Sequence, residues 1–131
     1  MTPLAYLDTS ALVKLVLHEP ESAALHAYVA AGDIVTSGIA RTEALRTVRR
    51  SGERELEAAC RRLLDECVVI QPDQLVLEAA CTIDPVELRS LDALHLATAT
   101  RLQYDLTAFV CYDTRLAQAA LDHGLTVVSP S

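Results

Sequence analysis

The sequence predicts an α/β fold in which helices cover both faces of a five-stranded parallel sheet. Three observations carry that prediction. Short apolar runs alternate with longer helical stretches, the sequence mark of βαβ units. Each run is apolar throughout instead of alternating apolar with polar, as in strands buried on both faces. A chain of 131 residues that is 51% apolar suits one core, so residues 1–131 are read as a single domain, without repeat, linker or low-complexity tract.

The elements follow in order. The first run, LAYL at residues 4–7, ends at Asp8, and a helical pattern covers about residues 10–16. Pro20 interrupts it. A second helix covers about residues 21–31 and stops at Gly32, as helices do at glycine. Residues 34–36 form the second run, followed by Ser37 as N-cap of a helix reaching about Arg50. Ser51-Gly52 breaks that helix, and another covers about residues 53–66. The third run is residues 68–70, closed by Pro72. Helices over about residues 73–82 and 90–103 come next, split by Asp84-Pro85. The fourth run, residues 108–112, ends in Asp113 and a helix to about His123. Gly124 closes that helix, and residues 125–128 make the fifth strand.

Composition excludes several classes. No stretch is long and apolar enough to span a membrane, and the N-terminus lacks the basic, apolar and small-residue regions of a signal peptide. Cys60, Cys67, Cys81 and Cys111 form no CxxC pair and sit in apolar or helical patterns, so they read as reduced residues of a cytoplasmic protein. The histidines do not pair with them at zinc-ligand spacing. The net charge of −7 argues against nucleic-acid binding through overall charge. Seven of the ten arginines, however, lie between Arg41 and Arg62 beside four glutamates, giving that stretch +3 and the remainder −10. Such a stretch is either a local phosphate-contacting surface or a solvated helix face laced with Glu–Arg pairs.

Parallel α/β sheets carry their sites at the carboxyl ends of strands, where the strand order reverses. Asp8 follows strand one and Asp113 follows strand four. In a doubly wound order such as 3-2-1-4-5 these strands are neighbours and the two acids face one crevice. With Ser90 as N-cap, Asp92 falls in the first turn of its helix, close to the same rim. Glu43 lies about one turn into the helix after strand two. Each acid has an ordinary alternative: helix capping or dipole pairing for Asp92 and Asp113, and pairing with Arg46 or Arg50 for Glu43. Together, four converging carboxylates raise each other's pKa, and a hard divalent cation such as Mg²⁺ removes that cost. The combination suits phosphodiester hydrolysis by metal-activated water.

At these residues the chain resembles the PIN-domain ribonucleases and, within them, the VapC toxins of prokaryotic toxin–antitoxin pairs. The matching segments are YLDTSALVKL (residues 6–15), Glu43 in its helix, SLDALHLATA (90–99) and FVCYDTRLAQAA (109–120). The resemblance implies a three-layer α/β/α fold whose parallel sheet has the order 3-2-1-4-5. It implies a Mg²⁺ site, with Mn²⁺ able to substitute, made by Asp8, Glu43, Asp92 and Asp113. It also implies endonucleolytic cleavage of RNA, inhibition of translation and growth, neutralisation by a VapB-type antitoxin, and homodimers or larger toxin–antitoxin assemblies in a prokaryotic cytoplasm.

Further residues take roles from the same resemblance. Thr9 and Ser10 match the family's hydroxyls after the first acid: Ser10 is expected to orient Asp8 or a metal-bound water, and Thr9 to cap the next helix. Thr114 is a lesser candidate for similar work. Where the family often has Thr or Ser two residues before the last Asp, this chain has Cys111, read as packing. His95, one turn beyond Asp92, contacts RNA, assists proton transfer, or is simply a partly buried histidine beside the site. Arg46, Arg49 and Arg50 contact RNA phosphates, antitoxin or acidic surface. Two other functions compete: a Mg²⁺-dependent phosphatase or phosphotransfer domain with Asp8 as nucleophile, and a non-catalytic binding module. Against the first, Ser10 stands where haloacid-dehalogenase enzymes usually carry a second Asp, and Lys14 is misplaced for a receiver domain.

Overall fold

The computed structural model describes residues 2–131. The strands β1 (Leu4–Leu7), β2 (Asp33–Ser37), β3 (Val68–Ile70), β4 (Ala108–Val110) and β5 (Val127–Val128) form one sheet in the order β3-β2-β1-β4-β5. Every pairing is parallel. The helices are α1 (Thr9–Lys14), α2 (Ser22–Val29), α3 (Ile39–Arg49), α4 (Arg54–Glu66), α5 (Gln74–Thr82), α6 (Ser90–Arg101) and α7 (Thr114–Asp122). The expected strand order and layering are therefore found.

The central strand explains why the first apolar run has no polar phase. Successive side chains of a strand point to opposite faces, and both faces of β1 are buried. Ala5 and Leu7 enter a core with Leu12, Leu25, Ala44, Val48 and Leu64 from α1 to α4. Tyr6 enters a second core with Val35, Phe109, Leu96 and Leu116, against α6 and α7. Full burial of a side chain such as Leu7 or Leu12 is worth roughly 1.5–3 kcal/mol. Ala40, Ala44 and Val48 make the buried stripe of α3 at helical spacing. That stripe turns Glu43, beside Ala44, toward the carboxyl end of β1.

Several boundaries differ from the expectations, each for a local reason. The fourth strand ends at Val110, not residue 112. Cys111 and Tyr112 leave the ladder, and the Tyr112 hydroxyl donates to the Pro130 carbonyl at 2.8 Å. The fifth strand starts at Val127, not residue 125, because the Leu125 N–H is taken by the Ala120 carbonyl at 3.0 Å. Gly124 does close α7 with a left-handed φ of +86°. Gly32 acts differently: a Cβ there would run into the Pro3 carbonyl, so glycine is needed for close approach. Ser37 belongs to β2 and Gly38 is the N-cap of α3, although the Ser37 hydroxyl still accepts weakly from the Ile39 N–H at 3.3 Å. Arg89, not Ser90, is the N-cap of α6. Among the described residues, no helix is long and apolar enough to cross a membrane.

Candidate active site

Asp8, Thr9, Ser10, Glu43, Asp92, His95 and Asp113 line one open cavity of about 390 Å³. The cavity lies at the carboxyl ends of β1, β2 and β4, the point where the strand order reverses. The four acids predicted from sequence thus come from four elements to one place.

Two of them are fixed by helix capping. Asp8 is the N-cap of α1: its Oδ1 accepts from the Ala11 N–H at 3.0 Å and from the Ser10 hydroxyl at 2.9 Å. Asp113 is the N-cap of α7, its Oδ1 accepting from the Leu116 N–H at 2.9 Å. In each case one carboxylate oxygen holds the helix end and the other remains for the cavity. Asp92 lies in the first turn of α6, as expected. The predicted capping role of Thr9 is not found: Asp8 takes that position, and the Thr9 hydroxyl donates to Glu43 Oε1 at 2.6 Å.

Glu43 belongs to a buried network and not to a surface arginine. His95 Nε2 lies 3.2 Å from Glu43 Oε1 and 3.1 Å from Thr9 Oγ1. On its other side His95 Nδ1 lies 2.8 Å from the Tyr6 hydroxyl. Thr47, one turn on, donates its hydroxyl to the Glu43 carbonyl at 2.9 Å. His95 is only 2% exposed, so it is a core residue, with no face free to grip RNA.

The electrostatics follow from these placements. Burial pushes the Asp8 carboxyl above its ordinary value, against the lowering pull of the Ala11 N–H and the Ser10 hydroxyl. Asp92 is also pushed up, first by burial and then by the Asp113 charge. Glu43 goes the other way: partial burial alone would raise it, but hydrogen bonds from His95 and Thr9 outweigh that and lower it. Burial and the Asp8, Asp113 and Asp92 charges push the Cys111 thiol up to about 12. Cys111 therefore stays a protonated, buried packing residue, as the sequence reading holds.

Other assignments separate. Thr114, Arg46, Arg49 and Arg50 are exposed and do not line the cavity. Sequence reasoning overlooked Lys14 and Arg89, the two cationic residues that do line it, together with Glu19 and Thr47. Lys14 Nζ is held 3.0 Å from Glu21 and 4.8 Å over the Tyr112 ring. A usable signal was present: Lys14 is the only lysine in the chain and falls on the helix that Asp8 caps. A larger cavity, about 610 Å³, opens between α2 and α4 and is lined by Leu15, Val29 and Leu63 among others; the four acids lie outside it.

Asp8, Glu43, Asp92 and Asp113 present oxygen donors to one cavity, the donor type that hard cations such as Mg²⁺ take while keeping several waters. Among the described residues no three His, Cys, Asp or Glu side chains are grouped closely enough to hold a metal ion by themselves.

Comparison with known proteins agrees with the fold. The family model for the PIN domain matches residues 5–122. Ribonuclease VapC46 of Mycobacterium tuberculosis is 44% identical over 127 residues, covering 96% of this chain and 97% of the relative. Among solved structures, the sarcin–ricin-loop-cleaving toxin VapC20 of Mycobacterium tuberculosis superposes with a TM-score of 0.75 at 20% identity, covering 96% of this chain and 99% of the other. A toxin–antitoxin complex from Klebsiella pneumoniae contains a chain with a TM-score of 0.73 at 22% identity, covering 97% of this chain and 98% of that one. At those identities the two structures speak for the fold alone. This membership leaves no room for the phosphotransfer alternative. By its matched length and its 44% relative, the chain belongs to the PIN-domain family, among its VapC ribonucleases.

Proposed function

We propose that this chain is the toxin of a type II toxin–antitoxin pair, an endoribonuclease that hydrolyses RNA phosphodiester bonds with Mg²⁺ or Mn²⁺. The observation that carries the reading is the convergence of Asp8, Glu43, Asp92 and Asp113 on one cavity at the switch point of the sheet. Asp8, Asp92 and Asp113 would hold the cation, with Glu43 beside them. Bound there, a divalent cation would neutralise phosphate charge and activate a water for attack. Ser10 orients Asp8 through its 2.9 Å hydrogen bond. Thr9 orients Glu43 in the same way. Lys14 and Arg89 supply positive charge at the cavity wall for the RNA backbone. Arg46, Arg49 and Arg50 extend that charge along the exposed side of α3, and Thr114 stands next to Asp113 at the rim.

The relatives support the biological setting. Toxins and toxin–antitoxin complexes share this fold, so a VapB-type antitoxin is the expected partner, with a homodimer or larger assembly in the cytoplasm. Induced expression without antitoxin should arrest growth, and purified protein should cleave RNA only with Mg²⁺ or Mn²⁺ present. Asp8→Asn and Asp92→Asn should each abolish both effects. The cation should also raise the melting temperature of wild type, by binding only the folded state, and do so far less in the variants. Arrest and cleavage that survive both substitutions would overturn the reading.

A further inference from the structure

We propose that Tyr6 and His95 form a buried relay that positions Glu43 for the metal site: the Tyr6 hydroxyl holds the His95 ring, and His95 holds the Glu43 carboxylate. The inference rests on the metal-site reading of Glu43 above and extends it to two residues inside the core.

A chain of short contacts links the three residues. Glu43 Oε1 already accepts the Thr9 hydroxyl at 2.6 Å. His95 Nε2 faces that ionised carboxylate at 3.2 Å and the Thr9 oxygen at 3.1 Å. Thr9 has given its only proton to Glu43, so Nε2 must carry a hydrogen to hold this position. Tyr6 is fully buried and its hydroxyl lies 2.8 Å from Nδ1 on the other side of the ring. The nearby Thr36 and Thr98 hydroxyls donate to the Leu7 and Leu94 carbonyls, at 2.8 and 2.7 Å, and do not supply Nδ1.

The relay is anchored in the sheet itself. Tyr6 sits in β1 opposite Phe109 of β4, and the two rings stack at 5.3 Å with planes 9° apart. His95 meets the Tyr6 ring edge-on at 5.8 Å. The Tyr6 hydroxyl therefore cannot wander, and among the described residues no buried side-chain nitrogen or oxygen lacks a partner. Partners of this kind, which orient a ligand without touching the metal, commonly govern affinity and activity by about 10–100-fold.

Nitrogen-15 NMR of the metal-free protein reads the first half directly. His95 should carry a hydrogen on Nε2, and its Nδ1 signal should shift on Tyr6→Phe; an unprotonated Nε2, or an Nδ1 signal that Tyr6→Phe leaves unmoved, would overturn the proposal. The second half is read by Mn²⁺ titration calorimetry. Tyr6→Phe removes only the hydroxyl and should weaken Mn²⁺ binding about tenfold. His95→Gln, which can still offer an N–H to Glu43, should retain more affinity than His95→Leu. The deciding measurement is the Tyr6→Phe effect in a Glu43→Gln background. It should nearly vanish there; an undiminished tenfold loss would mean that Tyr6 acts by another route and would sink the relay. A protein with the expected His95 signals and no Mn²⁺ binding or RNA cleavage would instead count against the metal-site reading and, with it, the relay's stated purpose.

Discussion

Asp8 does two jobs that pull in opposite directions. As N-cap it holds α1 through one oxygen, and as a buried carboxylate, 4% exposed, it resists ionisation. Its folded pKa lies above the ordinary 3.8, so the folded protein holds that proton more tightly than the unfolded chain does. The stability tied to it is complete below about 3.8 and is lost as pH rises through the folded pKa. Asn keeps the cap, because its side-chain oxygen accepts as well as that of Asp, and it carries no charge. Metal-free Asp8→Asn should therefore melt higher than metal-free wild type at neutral pH, with each ~1 kcal/mol raising Tm by roughly 3–6 °C in a domain of this size. The difference should close as pH falls through the raised folded pKa and the wild-type carboxyl takes up its proton. A gap that stays constant across the range would show that the carboxylate charge is not its source. At this scale the sequence was legible where chemistry and capping coincide, as at Asp8, Ser10 and Asp113. It was not legible where a partner comes from a distant element. Thr9 reads locally as a cap, and only the fold brings it to Glu43, 34 positions away; Tyr6 reads as one more strand apolar until His95 arrives, 89 positions on.

Helix starts are the devices that aim the site. Strands β1 and β4 end side by side, and a capping carboxylate follows each of them. Capping fixes the oxygen at the sheet rim with the precision of a helix end, and fixation costs nothing extra because the N–H groups need an acceptor anyway. The two functions separate by substitution. Asp113→Ala should lose about 1 kcal/mol of stability, as cap removal does, along with activity. Asp113→Asn should lose activity and keep nearly all the stability. Equal destabilisation by both, measured by urea unfolding, would refute capping as the means by which Asp113 is placed. The same logic explains which boundaries the sequence could place. Continuous apolar runs and the Gly124 turn are local signals and mark β1, β3 and the end of α7 closely. The end of β4 and the start of β5 are decided by tertiary hydrogen bonds at Tyr112 and Leu125, which no local pattern encodes.

Across the whole molecule, charge is segregated on an acidic body of −7 net. The +3 stretch between Arg41 and Arg62 occupies α3 and α4, and α3 is the helix that also carries Glu43 to the cavity. The exposed Arg46, Arg49 and Arg50 therefore stand on the element that forms one wall of the site, whereas repulsion from the rest of the surface would keep a polyanion off. Under the proposed function, that geometry would restrict RNA approach to one side. Replacing the three arginines with alanine should raise KM for RNA while leaving kcat nearly unchanged, because none of them lines the cavity. Each lost phosphate contact on a single strand should also flatten the salt dependence of binding, by about 0.7 in the slope of log affinity against log salt. Binding isotherms of the inactive Asp8→Asn protein and its triple-arginine derivative, at several salt concentrations, measure this without cleavage. An unchanged slope would assign the arginines to protein contacts, and the RNA track would then have to run over Lys14 and Arg89 alone.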